Sequence, residues 1–384
     1  MLEIIDVILH DYTLRNVALG SSILGTVSGA LGTFAFLRKE SLMGDVVAHS
    51  ALLGITGTFL LIYMLTGVGI RSETVLVLGA AASGIIAMLF VSNITKSSRI
   101  KTDSAMGIIL ALFFGGGMFL LTMIQQSDID NKTGLSSYIF GSAATMSHEN
   151  VIMMSILGFI ALSILIIFRK EIKIHTFDAE FAHTNGFSVK TLDLLILSII
   201  VIAIVIGLQA VGVILMVAMI VAPAAAARQW TNNLWIMVVL SAFFGLLSGF
   251  IGAVASSVVD KLPTGPTIVL ISTSIFIISV MFSPRRGILS SLIRNIKRKS
   301  KIELSLVLEN LYVLGLNHDV STETGHSSKV LRSMNKSNFN TVKSLNLLRR
   351  QGFVKELYDD CWVLTEAGIS RAERVLREKG QLDD

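Results

Sequence analysis

Asp45 and His49 stand four residues apart inside an apolar run, Ser41-Leu42-Met43-Gly44-Asp45-Val46-Val47-Ala48-His49-Ser50-Ala51-Leu52-Leu53-Gly54. On a helix, positions i and i+4 share a face, so the carboxylate and the imidazole point the same way. An Asp at the centre of a membrane span costs about 2.5–3.5 kcal/mol on insertion scales, and something has to offset that cost. A divalent cation held by both side chains is one candidate. Carboxylate oxygen and imidazole nitrogen suit Mn²⁺, Zn²⁺ and Fe²⁺, with no thiolate to select a softer ion. Two ligands make a weak site, and weak binding suits an ion that must both enter and leave. The competing reading is that the two side chains only satisfy each other or nearby backbone groups.

The elements that must position this pair follow from composition. Of 384 residues, 52% are hydrophobic and only 15% charged, with a mean hydropathy of +0.71, whereas a soluble domain is about 25% charged. Crossing the hydrocarbon takes about 20 apolar residues. Nine stretches approach that length: Leu14–Leu37, Leu42–Thr66, Thr74–Ile94, Ser104–Ile124, Val151–Phe168, Leu192–Gln209, Gly212–Ala227, Leu234–Val259 and Thr264–Phe282. Residues 1–13 alternate apolar and acidic positions, as a short surface helix would. They carry Glu3, Asp6, His10 and Asp11 rather than the basic start of a cleavable signal peptide. Leu135–Met146 is apolar but too short to cross, and is expected to be re-entrant or lateral.

Charge divides the chain near Pro284. Residues 1–283 hold 14 Lys/Arg and 15 Asp/Glu; residues 284–384 hold 18 and 12. The expected organisation is a transmembrane domain over 1–284, a basic juxtamembrane linker over 285–301 and a small domain over 302–384. The basic clusters Arg38-Lys39, Lys96/Arg99/Lys101, Arg169/Lys170/Lys173, Arg228 and Arg285-Arg286 follow alternate spans. By the positive-inside rule these clusters, and the tail, are cytoplasmic. Cys361 is the single cysteine, so no internal disulfide is possible. Gly25 and Gly29, Gly115-Gly116-Gly117, and Gly245, Gly249 and Gly252 are read as places where helix backbones approach closely.

In the tail, Lys297-Arg298-Lys299-Ser300-Lys301 is expected against anionic lipid. Helical patterns at Glu303–Leu314, Ser327–Met334 and Asn340–Gln351 precede Phe353–Leu364, which reads as two short strands around Asp359-Asp360, and a final helix through Glu378. This order resembles a winged helix. Leu347–Val354 with Leu364-Thr365-Glu366-Ala367-Gly368 is similar to the wing region of metal-responsive repressors.

Several stretches together resemble the permease subunit of manganese/zinc/iron-type ABC importers. They are Leu37–Ser50, Asp178-Ala179-Glu180-Phe181-Ala182-His183-Thr184-Asn185-Gly186, Val211–Met216 with Ala222-Pro223-Ala224-Ala225, and Leu262-Pro263-Thr264-Gly265-Pro266. The match runs in order over roughly residues 12–284; the basic tail is a departure. The resemblance implies an all-α polytopic membrane protein of the type II ABC importer class, with about eight or nine transmembrane helices and a small cytoplasmic α+β winged-helix-like domain. It implies that Asp45 and His49 contact the transported ion, and that no cofactor is permanently bound. Its partners would be cytoplasmic ABC ATPase subunits, an extracellular or periplasmic metal-binding protein, and a second copy or sister permease in the bilayer. Asp178, Ala182 and Gly186 would belong to the ATPase-coupling segment, Ala182 and Gly186 forming a narrow helix face that seats on the ATPase. The chain has no G-x-x-x-x-G-K-[ST] nucleotide loop, so ATP hydrolysis would fall to a partner. Two alternatives remain open: an ion-coupled secondary transporter in which Asp45 and His49 relay protons, and a membrane-tethered metal-responsive regulator whose basic tail binds nucleic acid.

Overall fold

Long stretches that are apolar on every side fold as helices, because only internal hydrogen bonding satisfies the backbone away from water. In the computed structural model the described apolar stretches do so in the first of two units, Met1–Gly287 and Ile288–Asp384. The structure describes residues 12–38, 40, 42–67, 72–127, 129, 146–258, 262–284, 286–316, 325–334, 341–358 and 360–378. The helix expected before the first span and the re-entrant segment at Leu135–Met146 lie almost wholly outside them.

The first unit contains α1 (Tyr12–Leu37), α2 (Met43–Thr66), α3 (Glu73–Ser97), α4 (Thr102–Gln126) and α5 (His148–Ile167), then two short helices, α6 (Arg169–Phe177) and α7 (Ala179–Thr184). These are followed by α8 (Val189–Val211), α9 (Val213–Trp230), α10 (Leu234–Val258) and α11 (Thr264–Phe282). Among the described residues, eight helices are long and apolar enough to cross a membrane: α1 to α5, α8, α10 and α11. Helix α9 has 18 residues and carries Pro223 in its interior. Gly212 alone separates it from α8, at φ 83 and ψ 167, a conformation essentially reserved for glycine.

Helix α1 is the most enclosed, with Leu24, Val27, Ala30, Leu31 and Phe34 all buried. Two of its buried hydroxyls are satisfied within the helix: Ser28 Oγ donates to the Leu24 carbonyl at 2.7 Å and Thr33 Oγ1 to that of Gly29 at 3.2 Å. Helices α1 and α10 run antiparallel and touch backbone to backbone, Ser21 facing Gly249, Gly25 facing Gly245 and Gly29 facing Ser241. Ser241 Oγ donates across this seam to the Gly29 carbonyl at 2.6 Å. Gly54 similarly lies on the Gly79 carbonyl, and Gly117 on the α2 backbone at Leu52 and Leu53. These two close approaches clamp α2 between α3 and α4.

In the second unit, α12 (Ile288–Leu316) leads to β1 (His326–Ser327), α13 (Ser328–Met334), α14 (Thr341–Arg350), β2 (Val354–Tyr358), β3 (Cys361–Leu364) and α15 (Glu366–Glu378). The strands form an antiparallel sheet in the order β1-β3-β2. Val307, Leu308, Leu311, Leu331, Leu345, Leu348, Trp362 and Leu376 make its core. Asp360 takes φ 64 at the hairpin turn. Its carboxylate accepts from Ser328 Oγ at 2.7 Å and Ser327 Oγ at 3.3 Å. The Ser328 hydrogen bond above all holds that carboxyl below the usual range. The 285–301 stretch is the one expected to be a basic juxtamembrane linker. From Ile288 it is the first half of the continuous 29-residue α12, because Pro284 and Gly287 are the last breakers before Gly315.

Candidate metal passage site

Asp45 lies in the first turn of α2. There the free backbone N–H groups and the positive end of the helix dipole favour a carboxylate by about 0.3–1 kcal/mol. This local compensation is one the sequence reading missed. Val46, Val47 and Ala48 are fully buried against the bundle, which leaves Asp45 and His49 half-buried on a different face. Gly44, beside Asp45, faces Val217 and Ile220 of α9. The His49 ring stands edge-on to Phe114 of α4, with centroids 4.7 Å apart and planes at 74°.

Among the described residues, no hydrogen bond or ion pair joins Asp45 to His49, and His49 Nδ1 is buried with no hydrogen-bond partner. Leaving a buried polar atom unsatisfied costs about 1–3 kcal/mol. The reading in which the two side chains merely satisfy each other therefore has no geometric support. The pair offers a carboxylate and an imidazole nitrogen to a ligand from outside the chain. Among the described residues there is no group of three or more His, Cys, Asp or Glu that could hold a metal.

The segment expected to couple to an ATPase has a local shape different from the narrow helix face read in the sequence. Asp178 caps α7, accepting from the Phe181 N–H at 2.9 Å. Ala182 is fully buried, and α7 ends at Thr184, so Gly186, at φ 84, lies beyond the helix. Ala182 and Gly186 thus do not form one outward helix face. With Ala182 packed inward, the aromatics are the exposed part: Phe177 is 60% and Phe181 53% exposed.

The sequence reading also missed a polar junction. Asp193 Oδ1 accepts from Arg38 at 2.8 Å and lies 2.8 Å from His175 Nε2. Arg38 also pairs with Glu40 at 3.2 Å. In the sequence Arg38 stands out as a topology-setting charge and as part of the Leu37–Ser50 resemblance, not as a partner of His175 or Asp193. The one available signal for the rest was Asp193, an acid early in an apolar run.

The family model described as the ABC 3 transport family matches residues 10–283. This chain belongs to that family. ABC 3 membership makes it a multi-pass transporter permease, the non-catalytic membrane subunit, and the helical bundle agrees. The chain is similar to a zinc transport system membrane protein of Treponema pallidum, 44% identical over 284 residues, 74% of this chain and 93% of the relative. It is also similar to a manganese transport system membrane protein of Bacillus subtilis, 36% identical over 355 residues, 92% of this chain and 80% of the relative. That second alignment is long enough to run well into the Ile288–Asp384 unit. Among solved structures, PsaBC from Streptococcus pneumoniae in complex with Fab matches with a TM-score of 0.64 at 30% identity, covering 74% of this chain and 97% of that one.

Proposed function

We propose that this ABC 3 permease conducts Mn²⁺ or Zn²⁺ inward, driven by ATP hydrolysis on separate ATPase subunits, and that Asp45 and His49 are the ion's contacts along the path. The observation that carries this reading is the unpartnered His49 Nδ1 on the same half-buried helix face as Asp45. The transport systems of the zinc and manganese relatives point to the same cargo class. Fe²⁺ shares these ligand preferences. A second permease copy, or a sister chain, would bring two more ligands across a two-fold axis, and an extracellular or periplasmic binding protein would hand over the ion.

Uptake in vesicles tests the reading. Metal should accumulate only when ATPase subunits and ATP accompany the permease. ATP-independent uptake by this chain alone would favour the ion-coupled secondary transporter instead.

The positive-inside pattern supports a cytoplasmic side for α6, α7 and the second unit. Phe177 and Phe181 then become the apolar contact for the ATPase, with Asp178 holding α7 in shape. Phe181→Asp should reduce ATPase co-purification at least about tenfold, the scale of a hot-spot aromatic. Full recovery of the ATPase with that variant would remove Phe181 from the contact.

The second unit is read as a winged-helix-like accessory domain held at the membrane by α12. Ile288, Leu289, Leu292, Ile293 and Ile296 are 46–68% exposed, and Lys297, Arg298, Lys299 and Lys301 follow them. An apolar stripe beside a cationic run suits an anionic lipid surface. In a Cys361→Ser background, a cysteine at Leu292 should react more slowly with a water-soluble thiol reagent in anionic than in neutral vesicles. Equal rates would argue against lipid contact. Sequence-preferring, salt-dependent DNA binding by the full chain would support the tethered-regulator alternative.

A further inference from the structure

The junction of Arg38, His175 and Asp193 lies outside the metal pair, yet it ties together three parts of the membrane unit. Arg38 follows the last residue of α1, His175 sits in α6, and Asp193 is in the first turns of α8. His175 Nε2 lies 2.8 Å from Asp193 Oδ1 and 3.5 Å from an Arg38 guanidinium nitrogen. A carboxylate can only accept, so Nε2 carries the proton and donates it to Asp193. The side chains are 3% (His175), 19% (Arg38) and 33% (Asp193) exposed. Partial burial strengthens charge-assisted bonds of this kind and fixes their geometry.

Each end of the junction continues into an element that matters for transport. On one side, the connection from Arg38 to α2 is closed by backbone hydrogen bonds. Arg38 N–H donates to the Phe34 carbonyl at 3.0 Å, Glu40 N–H to that of Ala35 at 3.1 Å, and Met43 N–H to that of Glu40 at 2.9 Å. These bonds link the end of α1 that carries Arg38, through Glu40, to the first turn of α2, where Asp45 sits. On the other side, His175 is three residues before Asp178, and the Asp178 N–H donates to the Ile174 carbonyl at 2.8 Å, joining α6 to the capped start of α7. A cavity of about 520 Å³ borders the junction, lined by Arg38, Glu40, Met43, Lys190 and Asp193 among others.

We propose that Asp193 is a positioning residue that transmits movement of the α6–α7 segment, through His175 and Arg38, to the helix carrying Asp45 and His49. This rests on the reading that α6 and α7 meet the ATPase. Asp193 touches no cargo; its role is to make ATP-driven movement at one end arrive at the metal pair. Its loss should separate ATP hydrolysis from transport rather than abolish both.

The test is metal transported per ATP hydrolysed by the full permease–ATPase complex in vesicles, with co-purification and thermal stability measured on the same preparations. For Asp193→Asn we expect near-normal assembly and ATP hydrolysis with the metal-to-ATP ratio down at least tenfold, and for Asp193→Glu a partial recovery. A purely structural role would lower assembly, hydrolysis and transport together, leave the ratio unchanged, and so overturn the proposal. Should Asp193→Asn fail to assemble, His175→Phe removes only the coupling-side bond, and an unchanged ratio there overturns it equally. Failure of the permease reading looks different, because the unaltered chain would then show no ATP-dependent metal uptake at all.

Discussion

Asp45→Ala and His49→Ala, made separately, should each lower metal uptake by about two orders of magnitude or more while the transporter still assembles. Changing even an outer partner of a metal ligand commonly costs 10–100-fold in affinity or activity, and these substitutions delete a ligand outright. If these two side chains hold the ion, no third donor stands in a cluster with them among the described residues to take over. Assembly should persist because neither side chain is hydrogen-bonded to the other or fully buried, so truncation leaves no protein partner stranded. For Asp45→Ala the expected stability loss is confined to the helix-terminal charge interaction, about 0.3–1 kcal/mol. His49→Ala also gives up the edge-on contact with Phe114, which makes Asp45→Asn and His49→Gln useful companions that keep volume while removing charge or imidazole. Metal content of cells expressing each variant, measured beside co-purified ATPase, separates passage from assembly. Normal uptake in both alanine variants would remove the pair from the ion's path.

Asp45 and His49 were visible as a pair because their cost is local: an acid and a histidine at helical spacing in an apolar run stand out without knowledge of any neighbour. The spans were legible for the same reason, each being a property of consecutive residues. What escaped was set by distance along the chain. Arg38, His175 and Asp193 meet only after α1, α6 and α8 pack, and each alone looks like an ordinary boundary charge. Phe114 reaches His49 from another helix, with no periodicity linking the two. The coupling segment was misread for a different reason. With Asp178 closing one end and Gly186 outside the other, α7 has too few turns for a spacing of four to define a face, and tertiary packing decided that Ala182 points inward. The two-residue β1 is defined only by its pairing with β3, so no local pattern could announce it.

The small-residue pattern was half legible, and its unread half carries the second large effect. Glycines at four-residue spacing on α1 and on α10 announce close approach, but not that the two stripes meet each other. In the folded chain they meet as Ser21 with Gly249, Gly25 with Gly245 and Gly29 with Ser241. A Cβ at Gly25 would fall on the Gly245 carbonyl, and one at Gly245 on the Gly25 carbonyl. The obstruction is backbone on both sides, so no rotamer change relieves it and the helices must separate. Gly25→Val and Gly245→Val should each destabilise the membrane unit by at least the 1–3 kcal/mol typical of overpacking, with the Ser241–Gly29 hydrogen bond, about 0.5–1.5 kcal/mol, exposed to the same displacement. Gly115 supplies the control: a Cβ there meets nothing within 4 Å, so Gly115→Ala should be neutral or gain up to about 1 kcal/mol from helix propensity. Thermal unfolding of the detergent-solubilised chain decides the matter, with a lowered midpoint expected for the two seam variants and none for the control. Wild-type midpoints for both seam variants would mean that α1 and α10 do not meet at these glycines. Because α1 leads directly into Arg38, a displaced seam should also disturb transport, and a lowered midpoint beside the transport loss would distinguish it from the Asp193 substitutions.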